Sequence, residues 1–266
     1  MTMEEIIVPI KDDILAFDKL IDIFIMKVQN EKVRINFQTF FKRKGKYLRP
    51  TLLMLAAGSI AGNKDKFDEK LYRLGLILEL LHSASLVHDD IVDEDLERRG
   101  EKTVNQVFGN KIAVLAGDTL FTYAFKEATM NYEKAYTLPI TNLALDMCMA
   151  ELIQANKVES KEDYLQVICG KTAKFMAVAC ELGARYAGGS ELEIARMYNI
   201  GMNLGITYQM VDDLIDGDSN AMNYITEADI QYSYVKTKKL LSELNSSPYC
   251  DSLFMLLEFI MEMKKK

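Results

Sequence analysis

Over residues 68–96, DEKLYRLGLILELLHSASLVHDDIVDEDL, apolar side chains recur at helical spacing. Leu71, Leu74, Leu78 and Leu81 form the row, Ser85 continues it, and Ile91 and Val92 lie beyond. A helical period sustained over that length requires a buried stripe, so the rest of the chain has to supply elements that cover it. The far end of the segment breaks this pattern. HSASLVHDDIVDED, residues 82–95, holds both histidines of the 266-residue chain and five of its carboxylates. Such groups repel one another and resist burial, so this end needs a cation, a ligand or open water.

Further helical patterning runs over 50–62, 111–129, 138–155, 162–187, 191–216, 222–244 and 250–264, joined by short polar or glycine-containing pieces such as GGS and NSSP. No strand-length run alternates Val, Ile or Thr with polar residues. With 4 prolines, 14 glycines and no Ser/Pro/Gly-rich linker, the expected fold is all-α, a multi-helix bundle forming a single domain over 1–266.

A net charge of −7 and a pI near 5.1 argue against nucleic acid as the partner, because phosphate backbones demand a basic footprint. Cys148, Cys169, Cys180 and Cys250 show no CxxC spacing and no nearby histidine, which points to reduced, packed thiols of a cytoplasmic protein. The stretch MTMEEIIVPIKDD has neither a basic nor an apolar region of the signal-peptide kind. No apolar run reaches the ~18 residues of a membrane span, so a soluble chain without stable membrane insertion is expected.

Two acidic boxes stand out. Asp89, Asp90 and Asp93 form one DDxxD, and Asp212, Asp213 and Asp216 form another in VDDLID. Positions i and i+4 neighbour each other on a helix, so Asp89 pairs with Asp93 and Asp212 with Asp216, each pair a two-carboxylate claw. All-oxygen ligands of this kind suit Mg²⁺, which completes its shell with water and phosphate oxygens. Glu79 and His82 also make a Glu-x-x-His pair, but no second such pair exists to complete a di-iron site. Basic groups accompany the boxes: Lys46 and Arg49 in GKYLRP, Arg98 and Arg99 in ERRG, and Lys171 with Thr172 in GKTAK. Lys42, Arg43 and Lys44 read as surface charge. GKT at 170–172 lacks the upstream glycine pattern and strand of a nucleotide-binding loop.

Taken in order, GKYLRP (45–50), LLHSASLVHDDIVDED (80–95), RRG (98–100), AGDTLF (116–121), GKTAKF (170–175) and YQMVDDLID (208–216) resemble the trans-isoprenyl diphosphate synthases, or polyprenyl synthetases. The resemblance implies the isoprenoid synthase fold, whose helices surround a central cavity with the two boxes facing each other across its mouth. It implies Asp89, Asp93 and Asp212 as direct ligands of about three Mg²⁺ ions, supported by Asp90, Asp213 and Asp216. Arg98, Lys171, Thr172 and Gln209 would hold an allylic diphosphate, and Gly45, Lys46, Arg49, His82 and Arg99 isopentenyl diphosphate. It further implies a homodimer, with Ile112, Leu115, Leu120 and Phe121 as one candidate face.

The chain departs from the family after the second box, where a glycine-lysine segment normally covers the site. Here no lysine follows until Lys236. Either the cover is lost or a stretch near 217–222 is missing. Two alternatives to an active synthase follow: a non-catalytic subunit of a heteromeric synthase, against which both boxes stand intact, and a class I terpene cyclase, against which Lys46, Arg49 and His82 stand. The resemblance implies that product length is set by side chains one turn below Asp89. Relatives with short products carry bulky residues there, whereas this chain has Ala84 and Ser85, with Leu81 a turn deeper. A product longer than about twenty carbons is expected, since one turn of ~5.4 Å matches roughly one five-carbon unit.

Overall fold

The computed structural model describes residues 2–41, 45–62, 67–98, 100–217 and 221–264. Arg99 and the Lys42, Arg43, Lys44 run lie outside them, as do residues 218–220, the middle of the 217–222 stretch where the cover is lost or missing. In chain order the α-helices are α1 (Met3–Ile6), α2 (Lys11–Met26), α3 (Glu31–Phe41), α4 (Leu48–Ala61), α5 (Glu69–Val92), α6 (Val104–Phe108), α7 (Asn110–Asn131), α8 (Lys134–Ala155), α9 (Lys161–Ile168), α10 (Lys174–Tyr186), α11 (Glu191–Asp216), α12 (Glu227–Ser242) and α13 (Pro248–Met263). The described strands are a two-residue hairpin, β1 (Glu97–Arg98) antiparallel to β2 (Glu101–Lys102), with Glu97 opposite Lys102. The all-α expectation therefore holds.

The chain divides into two compact units, one of residues 1–11, 51–67 and 138–266, the other of 12–50 and 68–137. In the second, α5 is buried far beyond one stripe: Leu71, Leu74, Leu76, Ile77, Leu78, Leu80 and Leu81 are at most 2% exposed. A helix apolar on every side is a core helix, and each such side chain stabilises the fold by about 1.5–3 kcal/mol. α7 is its main partner. α2 carries its own stripe, with Phe17, Ile21, Phe24 and Ile25 buried. Tyr72 donates to Asp13 at 2.6 Å, tying α5 to α2.

The first unit is organised by α10 and α11. Gly201 and Gly205, one turn apart on α11, let the helices meet: a Cβ on Gly201 would lie 2.5 Å from the Met176 carbonyl oxygen, and one on Gly205 2.5 Å from Ala173 Cα. Ser190 starts α11 with a capping box to Glu193 and Gly217, at φ 66, ends it, so the expected span 191–216 is the observed one.

Three expected helices are corrected. The segment 68–96 stops at Val92, where Asp93 caps the helix and Glu94 turns left-handed at φ 55. The segment 222–244 begins at Glu227, because the Thr226 side chain and Asp229 form a capping box there, and Ala221–Asn223 is a separate 3-10 turn. The segment 162–187 runs from Lys161 to Tyr186 but contains one wide π turn at Cys169–Ala173, closed by the Lys174 N–H donating to the Cys169 carbonyl. The widening sits where Gly170 meets α8: a Cβ there would be 2.8 Å from the Asp146 carbonyl oxygen.

Candidate active site

In the unit built on α5, the helix ends in the first acidic box, and the protein itself holds the middle aspartate. Asp90 is 2% exposed, and Arg98 Nε on β1 donates to its Oδ1. Arg98 Nη2 reaches Asp95 Oδ2 at 3.4 Å. The turn is stapled from α6 and its cap: Asn105 Nδ2 donates to the Asp90 carbonyl at 3.2 Å, and Thr103 Oγ1 to the Asp95 carbonyl at 2.8 Å. Asp89 is half-buried and Asp93 exposed. A short salt bridge and backbone staples thus fix the carboxylate that would otherwise be most costly to bury.

Beside this turn is a small cavity of about 40 Å³ whose lining includes Gly45, Tyr47, Glu79, His82, Asp90 and Arg98. It gathers Gly45 and His82 with Arg98. Lys46 is exposed between Gly45 and Tyr47, and Arg49 is half-buried in the first turn of α4. Tyr47 sits at φ 47 and donates to Asp18 Oδ1 at 2.8 Å. Burial first, and Asp18 second, push its phenol far above its ordinary range, so it stays a neutral donor. Tyr47 and Glu79 were not among the expected site residues; a tyrosine next to a predicted phosphate loop was the available signal for the first.

In the unit built on α10 and α11, the close approach at Gly201 and Gly205 continues up the same face to Gln209 and Asp213. There the side chains form a chain of hydrogen bonds. Thr172 Oγ1 donates to Gln209 Oε1 at 2.7 Å, Gln209 Nε2 to Asp213 Oδ1 at 2.8 Å, and Tyr164 OH to Asp213 Oδ2 at 2.6 Å. Lys171, raised on the wide turn, donates to Gln154 Oε1 at 3.1 Å and pairs with Glu151. These groups border a cavity of about 420 Å³, which also takes in Lys157 and Ala221. Asp212 is half-buried and Asp216 exposed at the end of α11. Tyr164 was missed by sequence reasoning, which had no means of pairing it with Asp213 across 49 residues.

The two boxes share two features: the middle aspartate accepts from protein side chains, and the last one, Asp93 or Asp216, is exposed. Among the described residues no three acidic, histidine or cysteine side chains already converge as a metal ligand set. Two carboxylates per box, at a helix end, are a donor set that fits Mg²⁺, an ion that keeps water and phosphate oxygens in its shell. Of the proposed length-setting residues, Leu81 and Ala84 are fully buried, while Ser85 is half-buried and its Oγ donates to the His82 carbonyl at 2.9 Å. Leu120 is 1% exposed, so the proposed dimer face loses it to the core, whereas Leu115 is 53% exposed. Among the described residues no helix is long and apolar enough to cross a membrane.

The fold is all-α, and in each unit an aspartate-rich helix end borders a cavity that also takes in basic side chains. A sequence profile described as polyprenyl synthetase matches residues 30–239, and the chain belongs to that family. It is 32% identical over 255 residues to a prenyl transferase of Cyanidium caldarium, covering 94% of this chain and 77% of that one. It is likewise 32% identical over 220 residues to a chloroplastic solanesyl-diphosphate synthase 2 of Oryza sativa subsp. japonica, covering 80% of this chain but only 54% of that protein's length. Among solved structures, a decaprenyl diphosphate synthase from Rhodobacter capsulatus superposes with a TM-score of 0.86 over the whole of both chains at 23% identity, which establishes the isoprenoid synthase fold.

Proposed function

We propose that the chain is an active, Mg²⁺-dependent trans-polyprenyl diphosphate synthase of the cytoplasm. It condenses isopentenyl diphosphate with an allylic diphosphate, head to tail, to a product longer than about twenty carbons, one turn of helix corresponding to roughly one five-carbon unit. The observation that carries this reading is the Thr172, Gln209, Asp213 and Tyr164 hydrogen-bond chain, which presents the second acidic box beside Lys171 at a cavity of about 420 Å³. The relatives' names, which include a solanesyl-diphosphate synthase, support a long product.

Asp89, Asp93, Asp212 and Asp216 would hold Mg²⁺, with Asp90 and Asp213 fixing the boxes. Bound Mg²⁺ supplies positive charge to the departing diphosphate. The chain's own groups do the rest. Lys171, Thr172 and Gln209 orient the allylic diphosphate. Gly45, Lys46, Arg49, His82 and Arg99 hold isopentenyl diphosphate. The allylic carbon–oxygen bond breaks with its electron pair leaving on diphosphate, and the isopentenyl double bond attacks the resulting cation. A proton is then lost to the released diphosphate. Charge that is stabilised more in the departing group than in the intact ester lowers the barrier. The four cysteines are free, in keeping with a reducing compartment.

We also expect a homodimer. α8 presents an outward row of Leu138, Leu145, Met149 and Leu152, each between 47% and 62% exposed, in steps of helical spacing. Light scattering of Leu145→Glu, expected to be monomeric, tests it.

Purified protein incubated with isopentenyl and farnesyl diphosphates and Mg²⁺, with products sized, tests the main reading. Asp89→Ala and Asp212→Ala should lose several orders of magnitude in rate with helical content unchanged. Absence of elongation by the unaltered protein, or near-normal turnover in both variants, rejects it.

A further inference from the structure

We propose that Lys157 is a second diphosphate-binding cation of the cavity around Lys171, an inference that rests on the assignment of that cavity to the allylic diphosphate. Lys157 follows the end of α8 at Ala155 and stands at φ 83, with its backbone N–H donating to the Gln154 carbonyl at 3.1 Å. The left-handed region is open to glycine at no steric cost and tolerated by asparagine, whereas a long side chain there is strained. Asn156, the residue suited to that conformation, is the immediate neighbour, yet lysine occupies the strained place. Strain of this kind is held in place by the surrounding structure and collects at ligand-binding sites.

The position gives the side chain a use. Glu151, Gln154 and Lys157 follow one another at intervals of three, and Glu151 and Gln154 both reach Lys171. Lys157 lines the same cavity of about 420 Å³ as Lys171, Thr172, Gln209 and Asp213. The charge balance is the deciding point. Glu151 is paired with Lys171 and answers its charge, and Asp213 adds a further carboxylate to the wall. Lys157 has no ion pair among the described residues, so its ammonium stands at the cavity without a carboxylate bound to it. A diphosphate, with several negative charges, needs more than one cation, and a flexible lysine at the rim supplies a point charge to it.

Calorimetric titration of inorganic diphosphate with saturating Mg²⁺ tests the inference on the unaltered protein and on Lys157→Gly, Lys157→Arg and Lys171→Ala. Lys157→Gly relieves the left-handed strain, so its Tm should rise while its affinity falls about tenfold, the effect of one lost charge-assisted contact. Lys157→Arg should hold the affinity near that of the unaltered protein. A raised Tm with unchanged affinity in Lys157→Gly, alongside weakened binding in Lys171→Ala, overturns the role of Lys157 and leaves the cavity assignment standing. No binding of diphosphate by the unaltered protein overturns both.

Discussion

The imidazole of His88 on α5 lies against the backbone of Gly117 on α7: a Cβ at residue 117 would fall 2.2 Å from His88 Nε2. That nitrogen is 3.2 Å from the Val114 carbonyl and 3.5 Å from Asp118 Oδ1. In Gly117→Ala the ring must leave. Losing one hydrogen bond costs about 1 kcal/mol, close to the ~1 kcal/mol that alanine gains over glycine in a helix. Urea unfolding should therefore change by less than about 1 kcal/mol, while the His88 ring signals in an NMR spectrum shift and those of His82 stay put. Unmoved His88 signals would show that the helices, not the ring, give way.

Lys46→Ala should weaken isopentenyl diphosphate more than the allylic substrate, because Lys46 flanks the Gly45 and His82 cavity and lies in the other unit from Lys171. One charge-assisted contact is worth roughly 1.5–3 kcal/mol, or about ten- to a hundredfold in affinity. Titration of each substrate separately measures the difference, and equal losses would contradict the division.

Ser85→Phe should shorten the product without weakening diphosphate binding. Ser85 is half-buried and its substitution sacrifices one hydrogen bond to the His82 carbonyl. Ala84 is fully buried, so Ala84→Phe overpacks the core and costs about 1–3 kcal/mol in addition. Chromatographic sizing of products decides; unchanged length in Ser85→Phe places the floor elsewhere.

The start of α12 should be sensitive to acid. Lys161 foremost, then Thr226, hold the Asp229 carboxyl below its ordinary value of 3.8. The folded state therefore binds this proton less readily than the unfolded one. Its contribution is complete above pH 3.8 and is lost as the pH falls through the lower folded value. The Tm difference between the unaltered protein and Asp229→Ala should be present at pH 7, shrink below pH 3.8, and narrow with added salt, since the Lys161 partner is half-exposed. A difference constant down to pH 2 would exclude the linkage.

Long helices and both acidic boxes are legible in the sequence because apolar period and carboxylate spacing are local properties. α11 is bounded by its own Ser190 and Gly217 signals and is read to the residue. α2 also carries a readable row in Phe17, Ile21 and Phe24, which the assignment of helices passed over. Other features are not local. The end of α5 depends on Thr103 and Asn105 reaching back to Asp90 and Asp95, and Tyr164 meets Asp213 only after folding. The Arg98 to Asp90 pair is likewise made only on folding: the arginine's nearness to the box in sequence gave no sign that the Asp90 carboxylate sits on its Nε.

The wide turn at Cys169–Ala173 has a consequence for how this chain tolerates insertion and deletion. Each residue of an α-helix advances about 100° around the axis, so one residue more or fewer rotates everything on one side of it relative to the other. The π turn already contains such a surplus residue, in phase with the groove on α8 that Gly170 occupies. Excising a single residue there would restore ordinary winding and leave the helix intact by circular dichroism. Because the wide turn absorbs its surplus residue, the Tyr164 side and the Phe175 side of the helix would keep nearly their present register. What the deletion removes is the wide turn that raises Lys171 beside Gln154 and Glu151, so the helix would survive it and keep Tyr164 near Asp213 while the lysine is displaced.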